Sequence, residues 1–116
     1  RGDWSAAAGA SAARAVAQAV RGADGPTAVA AANDQMALGL IAGLVAEGLL
    51  VPDDVSVTGF DDNADAAFYT PALTTVRVDT AGEARRVVAE ALGLPAAVAA
   101  AEPVLVARAS SAAPRG

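Results

Sequence analysis

Apolar and polar positions alternate in blocks along this chain, and the blocks read as seven elements. Asp3 or Ser5 can cap a first helix that runs to about Arg21. Gly22, Gly25 and Pro26 break it. Thr27–Ala32 is a short apolar run without alternation, the signature of a strand buried on both faces. A helix of about 14 residues is predicted from Asp34, with Gly48 at its C′ position. Pro52-Asp53-Asp54 makes a turn, and Val55–Phe60 forms the second strand. A loop or short helix then leads to Tyr69, and Pro71 ends it.

Beyond Pro71 the period changes again. Thr74–Val78 alternates and reads as a third strand. Thr80-Ala-Gly-Glu83 has capping-box spacing. The helix behind it places Ala84, Val87, Val88, Ala91 and Leu92 on one face, and Gly93 and Pro95 end it. Ala96–Ala101 reads as a linker, and Val104–Ala109 as a last strand. From Ser110 to Gly116 the Ala/Ser/Pro-rich tail is expected to be loosely held, so the folded unit spans 1–109. The order α-β-α-β-β-α-β predicts an α/β fold, a mostly parallel open sheet flanked by helices.

Parallel strands give two polar clusters a common address. The first strand runs into Asn33-Asp34 and the second into Asp61-Asp62-Asn63. Both clusters fall at the carboxyl edge, where open α/β sheets hold ligands. Asn33 can donate and accept at once, which suits a hydroxyl. Helix capping is its competing role, and Asp34 as the cap would leave Asn33 to the pocket. Asp61 accepts strongly from a hydroxyl, against plain turn chemistry for the whole Asp-Asp-Asn run. Trp4 is the only Trp in the chain. Its ring suits the C–H face of a sugar; its alternative is packing at a helix start.

Composition narrows the chemistry. The apolar fraction is 54%, but much of it is alanine, which buries little area. At 116 residues the chain is one domain or part of one, and its start without Met points to a fragment. A net charge of -5 argues against nucleic-acid contact by this segment itself. Cys and His are both absent, which removes disulfides, thiolate chemistry and His-based triads. A magnesium or acid/base site on Asp34, Asp61 and Asp62 is the remaining enzymatic reading, and it ranks low. No enzyme activity, cofactor or metal is expected. There is no membrane-length apolar run and no signal-peptide pattern.

The helix after Asp34 carries Met36, Leu38, Leu40, Ile41, Leu44 and Val45, which leave no broad polar face. The sheet covers one side. Pattern alone leaves the other side open to a second chain or to a neighbouring helix of the same chain. Gly39 and Gly43 would allow close backbone approach.

Four blocks in series resemble the LacI/GalR family of bacterial transcription repressors. They are Gly2-Asp3-Trp4-Ser5, Ala32-Asn33-Asp34-Gln35-Met36-Ala37, Gly59-Phe60-Asp61-Asp62 and Pro71-Ala-Leu73-Thr74-Thr75-Val76. The final Pro103-Val-Leu-Val-Ala-Arg108-Ala-Ser-Ser is similar to that family's last strand. The resemblance implies the C-terminal lobe of a type I periplasmic-binding-protein-like fold, with a sugar-like effector held against Trp4, Asn33 and Asp61. It also implies a homodimer whose interface includes Leu38, Leu40, Phe68 and Tyr69, a cytoplasmic location, and operator binding only through an N-terminal domain this chain lacks. The alternative is a fragment of a periplasmic sugar-binding transport protein, which shares the two-lobed fold.

Overall fold

The structure, a computed structural model, describes residues 2–95 and 99–114. Three helices and four short strands follow the expected order: α1 (Ala6–Val20), β1 (Ala28–Ala30), α2 (Asp34–Ala46), β2 (Ser56–Thr58), β3 (Thr75–Arg77), α3 (Thr80–Ala91) and β4 (Val104–Val106). A 3₁₀ turn, Ala66–Phe68, lies between β2 and β3. Part of the predicted Ala96–Ala101 linker, residues 96–98, lies outside the described residues.

α1 forms because alanine loses almost no side-chain entropy in a helix. The Ser5 hydroxyl caps it by accepting from the Ala8 N–H. Its buried stripe is Gly9, Ala13 and Ala17, four apart, and this stripe lies on α2. The two backbones nearly touch. A Cβ added at Gly39 would collide with the Ala6 carbonyl, and one at Gly9 with the Met36 carbonyl. A Cβ at Gly43 would meet the Ala13 side chain. α1, within the same chain, therefore covers one side of the all-round apolar helix, while Val45 stays exposed and Leu38 half-buried. Leu40, expected at a subunit interface, is only 4% exposed and belongs to this chain's own core. It has no surface left to offer a partner.

The core proper sits between α2 and the sheet. Leu44, Val55, Val57 and Leu73 are fully buried there, with Ile41 and Leu49 beside them. Gly48, at φ 81, takes the left-handed C′ position after α2. β1 and β2 pair in parallel, with Val29 opposite Val57. The β2 line continues in parallel alongside β3 through Thr58 opposite Thr74 and Asp61 opposite Arg77. β3 and β4 are antiparallel, with Val76 opposite Leu105.

Two expectations need correction. The helix α3 is capped by Asp79, one residue before the expected Thr80; its carboxylate accepts from the Gly82 N–H at 2.8 Å. A carboxylate gains from the helix dipole as well as the hydrogen bond, which a hydroxyl does not. Glu83 pairs instead with Arg86. The apolar face of α3 is as foreseen, yet Ala84, Val87, Val88, Ala91 and Leu92 are all exposed among the described residues. With α3 and the β3–β4 ribbon included, the molecule spans 55 × 30 × 26 Å.

The folded unit does not stop at residue 109. Ser110 is fully buried and acts as a strap between β2 and the chain before β3. Its carbonyl accepts from the Val57 N–H, and its N–H donates to the Ala72 carbonyl. Its hydroxyl donates to the Val57 carbonyl at 2.6 Å and accepts from the Thr74 N–H at 2.8 Å. Ala112 is tied to Ser56 Oγ. Small size makes Ser110 and Ala112 look like tail, but small size is what lets a strap enter a core. Ser110→Ala should lower stability by about 1–3 kcal/mol for each buried group it leaves unpaired. Urea denaturation reads this directly, and a loosely held tail would give no change.

Candidate functional site

The register of β1 and β2 sets the site. Ala30 lies opposite Thr58, and three residues further along each strand stand Asn33 and Asp61. The Asp34 N–H donates to the Phe60 carbonyl at 3.0 Å, which joins the two strand ends. Trp4 arrives from the start of α1 and is fixed by its backbone: Asn33 Nδ2 donates to the Trp4 carbonyl at 3.0 Å. The structure thus brings Trp4 and Asn33 into direct contact, with Asp61 on the adjoining strand end. A hollow of about 210 Å³ lies beside them, lined by Gly2, Trp4, Ala32 and Met36. Ligand pockets usually exceed about 300 Å³, so this hollow is one wall of a site rather than an enclosure.

Backbone strain gathers at the same edge. Trp4, Asp61 and Asp62 have φ of 67°, 107° and 53°, the only positive values at non-glycine residues among those described. Each such residue costs on the order of 1–3 kcal/mol, and strain of this kind clusters at binding sites. Trp4 is 65% exposed despite its size. Asp61 is exposed, and its carboxylate has no hydrogen bond or ion pair among the described residues. An open aromatic ring, a carboxylate and an amide are the kinds of groups that can serve a polyhydroxylated molecule.

The helix cap expected of Asp34 falls to Asn33. Asn33 is the helix cap: its Oδ1 accepts from the Met36 N–H at 2.8 Å while its Nδ2 holds Trp4. Asp34 is 1% exposed. Its Oδ1 accepts from Thr75 Oγ1 at 2.6 Å and its Oδ2 from the Asn63 N–H at 2.7 Å. Gly59 makes room, since a Cβ there would strike Asp34 Oδ1. An amide can cap and donate at once; a carboxylate can only accept, and it goes where buried donors converge.

Asp62, read from sequence as turn chemistry or as one of three acids in the low-ranked enzymatic reading, proves to be the most heavily engaged acid near the site. Its side chain is 6% exposed. Arg77 Nε donates to one carboxylate oxygen at 2.6 Å, and an Arg108 guanidinium nitrogen donates to the other at 2.6 Å. Burial pushes its pKa up, but the hydrogen bonds from Arg108 and then Arg77 outweigh it, leaving the group below the usual aspartate value. Arg108 also donates to the Leu73 carbonyl at 2.7 Å. No local sequence signal pointed to this, since Arg77 and Arg108 lie 15 and 46 residues further along the chain.

With Asp34 saturated by neutral donors and Asp62 by two cations, the three carboxylates do not converge. No cluster of three metal-ligating acids exists among the described residues. Of the residues expected at a subunit interface, Phe68 is 83% exposed and Leu38 is half-buried. Tyr69 is half-buried, its hydroxyl accepting from Asn63 Nδ2 at 3.1 Å.

Comparison with known proteins gives this geometry a context. Residues 1–114 match the periplasmic binding protein-like domain family. The chain belongs to that family. Within it, the relatives are LacI-family repressors and not enzymes. The lactose operon repressor of Escherichia coli K12 is 50% identical over 54 residues, which are 47% of this chain and 15% of that protein. A sugar-binding LacI-family regulator from Escherichia coli, solved with phosphate, superposes with a TM-score of 0.79 at 29% identity, over 97% of this chain and 41% of that one. The lac repressor dimer bound to operator and the anti-inducer ONPF superposes with a TM-score of 0.72 at 35% identity, over 97% and 40%. The chain therefore spans about two-fifths of these solved relatives.

The double duty of Asn33 in this periplasmic-binding-protein-like chain makes it a poor target for alanine. Asn33→Ala removes the α2 cap and should cost about 1 kcal/mol, up to about 2. Asn33→Asp keeps the cap and loses only the donor to Trp4, so it should melt closer to wild type. Thermal unfolding of the two variants checks this; equal losses would mean the cap is not what Asn33 contributes.

Proposed function

We propose that this chain is the effector-binding and dimerisation segment of a bacterial LacI-type transcription repressor. The effector is a sugar or sugar derivative. Operator DNA is bound by a segment outside this chain. The carrying observation is the edge that bears Trp4, Asn33 and Asp61: an exposed ring, and a carboxylate without a partner among the described residues, both on strained backbone. Strain of that kind is hard to account for by packing. The regulator reading is preferred to a transport protein because the relatives are repressors. A cytoplasmic location follows from that preference. Among the described residues no helix is long and apolar enough to cross a membrane.

The mechanism needs no covalent step. An effector that binds one arrangement of two lobes better than the other shifts their populations by its difference in affinity. In this reading Asp61 accepts from a hydroxyl, the remaining N–H of Asn33 donates, and Trp4 covers an apolar face of the ring. The exposed stripe of α3 is then the surface that meets the rest of the longer protein.

Two outcomes test this. In the full-length protein, calorimetric titration with glucose, galactose, lactose and sucrose should find a binder, and Asp61→Ala should weaken it by about 1–3 kcal/mol. Trp4 is the only Trp in this chain, so Trp4→Phe should remove its share of any ligand-dependent change in emission. Unchanged affinity in Asp61→Ala and an unchanged spectral response in Trp4→Phe would take both residues out of the site.

Assembly is the second. Phe68 and Leu38 are the interface candidates that keep surface to offer, with Tyr69 at the loop that presents Phe68. A twofold contact is self-complementary, so one substitution acts twice. Leu38→Lys or Phe68→Asp should each bury an unpaired charge and cost several kcal/mol of association. Sedimentation at matched concentration would show dimers turning to monomers. Variants that dimerise as tightly as wild type would move the interface elsewhere.

A further inference from the structure

The Asp61–Asp62 turn has a peculiarity that ligand binding alone does not explain. Among the described residues the Asp61 carboxylate has no partner, whereas its neighbour Asp62 faces inward and is gripped by two arginines, one at the end of β3 and one just past β4. Arg77 belongs to β3. Arg108 lies just beyond β4. Arg108 is itself anchored, since its second guanidinium nitrogen donates to the Leu73 carbonyl and its backbone N–H donates to Thr74 Oγ1 at 2.8 Å. Asp61 in turn bonds to the same ribbon by its own N–H, which donates to the Val76 carbonyl at 2.9 Å. Two successive residues at positive φ are thus held by the Asp61 N–H bond, a longer bond from the Asp62 N–H to Thr75 Oγ1 at 3.4 Å and one ion-paired carboxylate. The carboxylate makes the two shortest of these contacts, both at 2.6 Å.

We propose that Asp62 is the positioning residue of the site: clamped by Arg77 and Arg108, it holds Asp61 in its strained pose and ties that pose to the root of the β3–β4 ribbon. The proposal rests on the reading of Asp61 as a ligand acceptor. The chemistry favours a clamp over a surface ion pair. The Asp62 side chain is nearly fully buried and Arg108 is mostly buried, so the pair is weakly screened. Each carboxylate oxygen serves a different segment, β3 or the chain just past β4, so the group fixes a relative position rather than a single contact. The ribbon that Asp62 grips carries α3 with its uncovered apolar face, so a shift of the turn and a shift of the ribbon are one movement.

The test uses the full-length protein as wild type, Asp62→Asn, Arg108→Lys and, as a surface-pair control, Arg86→Lys. Asp62→Asn sets an NH₂ donor against a guanidinium; Arg108→Lys keeps the charge but loses the two-pronged grip. Hydrogen exchange is followed by mass spectrometry without ligand, in the peptide covering 60–64 and in α2. Loss of a charge-assisted bond should speed exchange at 60–64 about tenfold or more in the first two variants. Protection in α2 and the melting temperature should stay near wild type, and Arg86→Lys should change nothing. The sugar that binds wild type from the panel of glucose, galactose, lactose and sucrose should bind both clamp variants about tenfold more weakly. Unchanged exchange at 60–64, or equal loosening of α2, overturns the clamp. Loosening of 60–64 with sugar affinity intact overturns the positioning role. If no sugar binds wild type, the functional reading fails, while the ligand-free exchange still decides whether the clamp exists.

Discussion

A single buried carboxyl group at Asp34 is the joint on which the site edge depends. It lies in the first turn of α2, accepts from Thr75 at the start of β3 and from the Asn63 backbone in the loop after β2. Its own N–H reaches back to the Phe60 carbonyl. One residue therefore unites a helix start, a strand end, a loop and a second strand. Burying such a group is costly unless each oxygen is satisfied, and here each has a donor. The arrangement holds only because Gly59 leaves the space. The strained turn at Asp61 and Asp62 is suspended between this joint and the two arginines.

A second constraint comes from the composition. Alanine-rich helices bury little area per residue, so α1 and α2 compensate by distance. With glycine at 9, 39 and 43, the backbones approach until a single added methyl group would collide. Dispersion falls steeply with separation, so near contact of backbones recovers part of what small side chains lose. Each helical glycine gives up about 1 kcal/mol of propensity, which the tertiary contact offsets.

What the sequence made legible was local. The helix stops at Gly48 and Gly93, the Ser5 cap, the parallel pair β1–β2 and the alignment of Asn33 with Asp61 all follow from periods and caps read within about a dozen residues. What it concealed was settled at long range. Asn33 and Asp34 are equally good caps in isolation. Thr75, 41 residues away, takes Asp34 and leaves the cap to Asn33. Ser110 looked like tail because small polar residues mark loose ends more often than core straps. Its partners Val57 and Thr74 lie 53 and 36 residues back. Asp62 looked like turn chemistry because neither Arg77 nor Arg108 announces its partner. The all-round apolar helix invited a second chain, and the small-residue stripe on α1 was the overlooked signal that cover was at hand.

The strain at Trp4 and Asp61 gives these separate features a common sense. Left alone, a chain relaxes a bulky residue out of the left-handed region. Here each strained residue is opposed by a bond to a rigid element. The Trp4 carbonyl is held by Asn33, which is itself locked as the α2 cap. The Asp61 turn is held by Val76 and by the Asp62 ion pairs. Both tethers end in structure already fixed by the Asp34 joint and the glycine-packed helices. As the proposed binding surface, such an edge would lose little freedom on meeting a ligand, because its ordering cost is met on folding. That accounts for a domain with so thin a core devoting its few buried charges to one edge of one sheet.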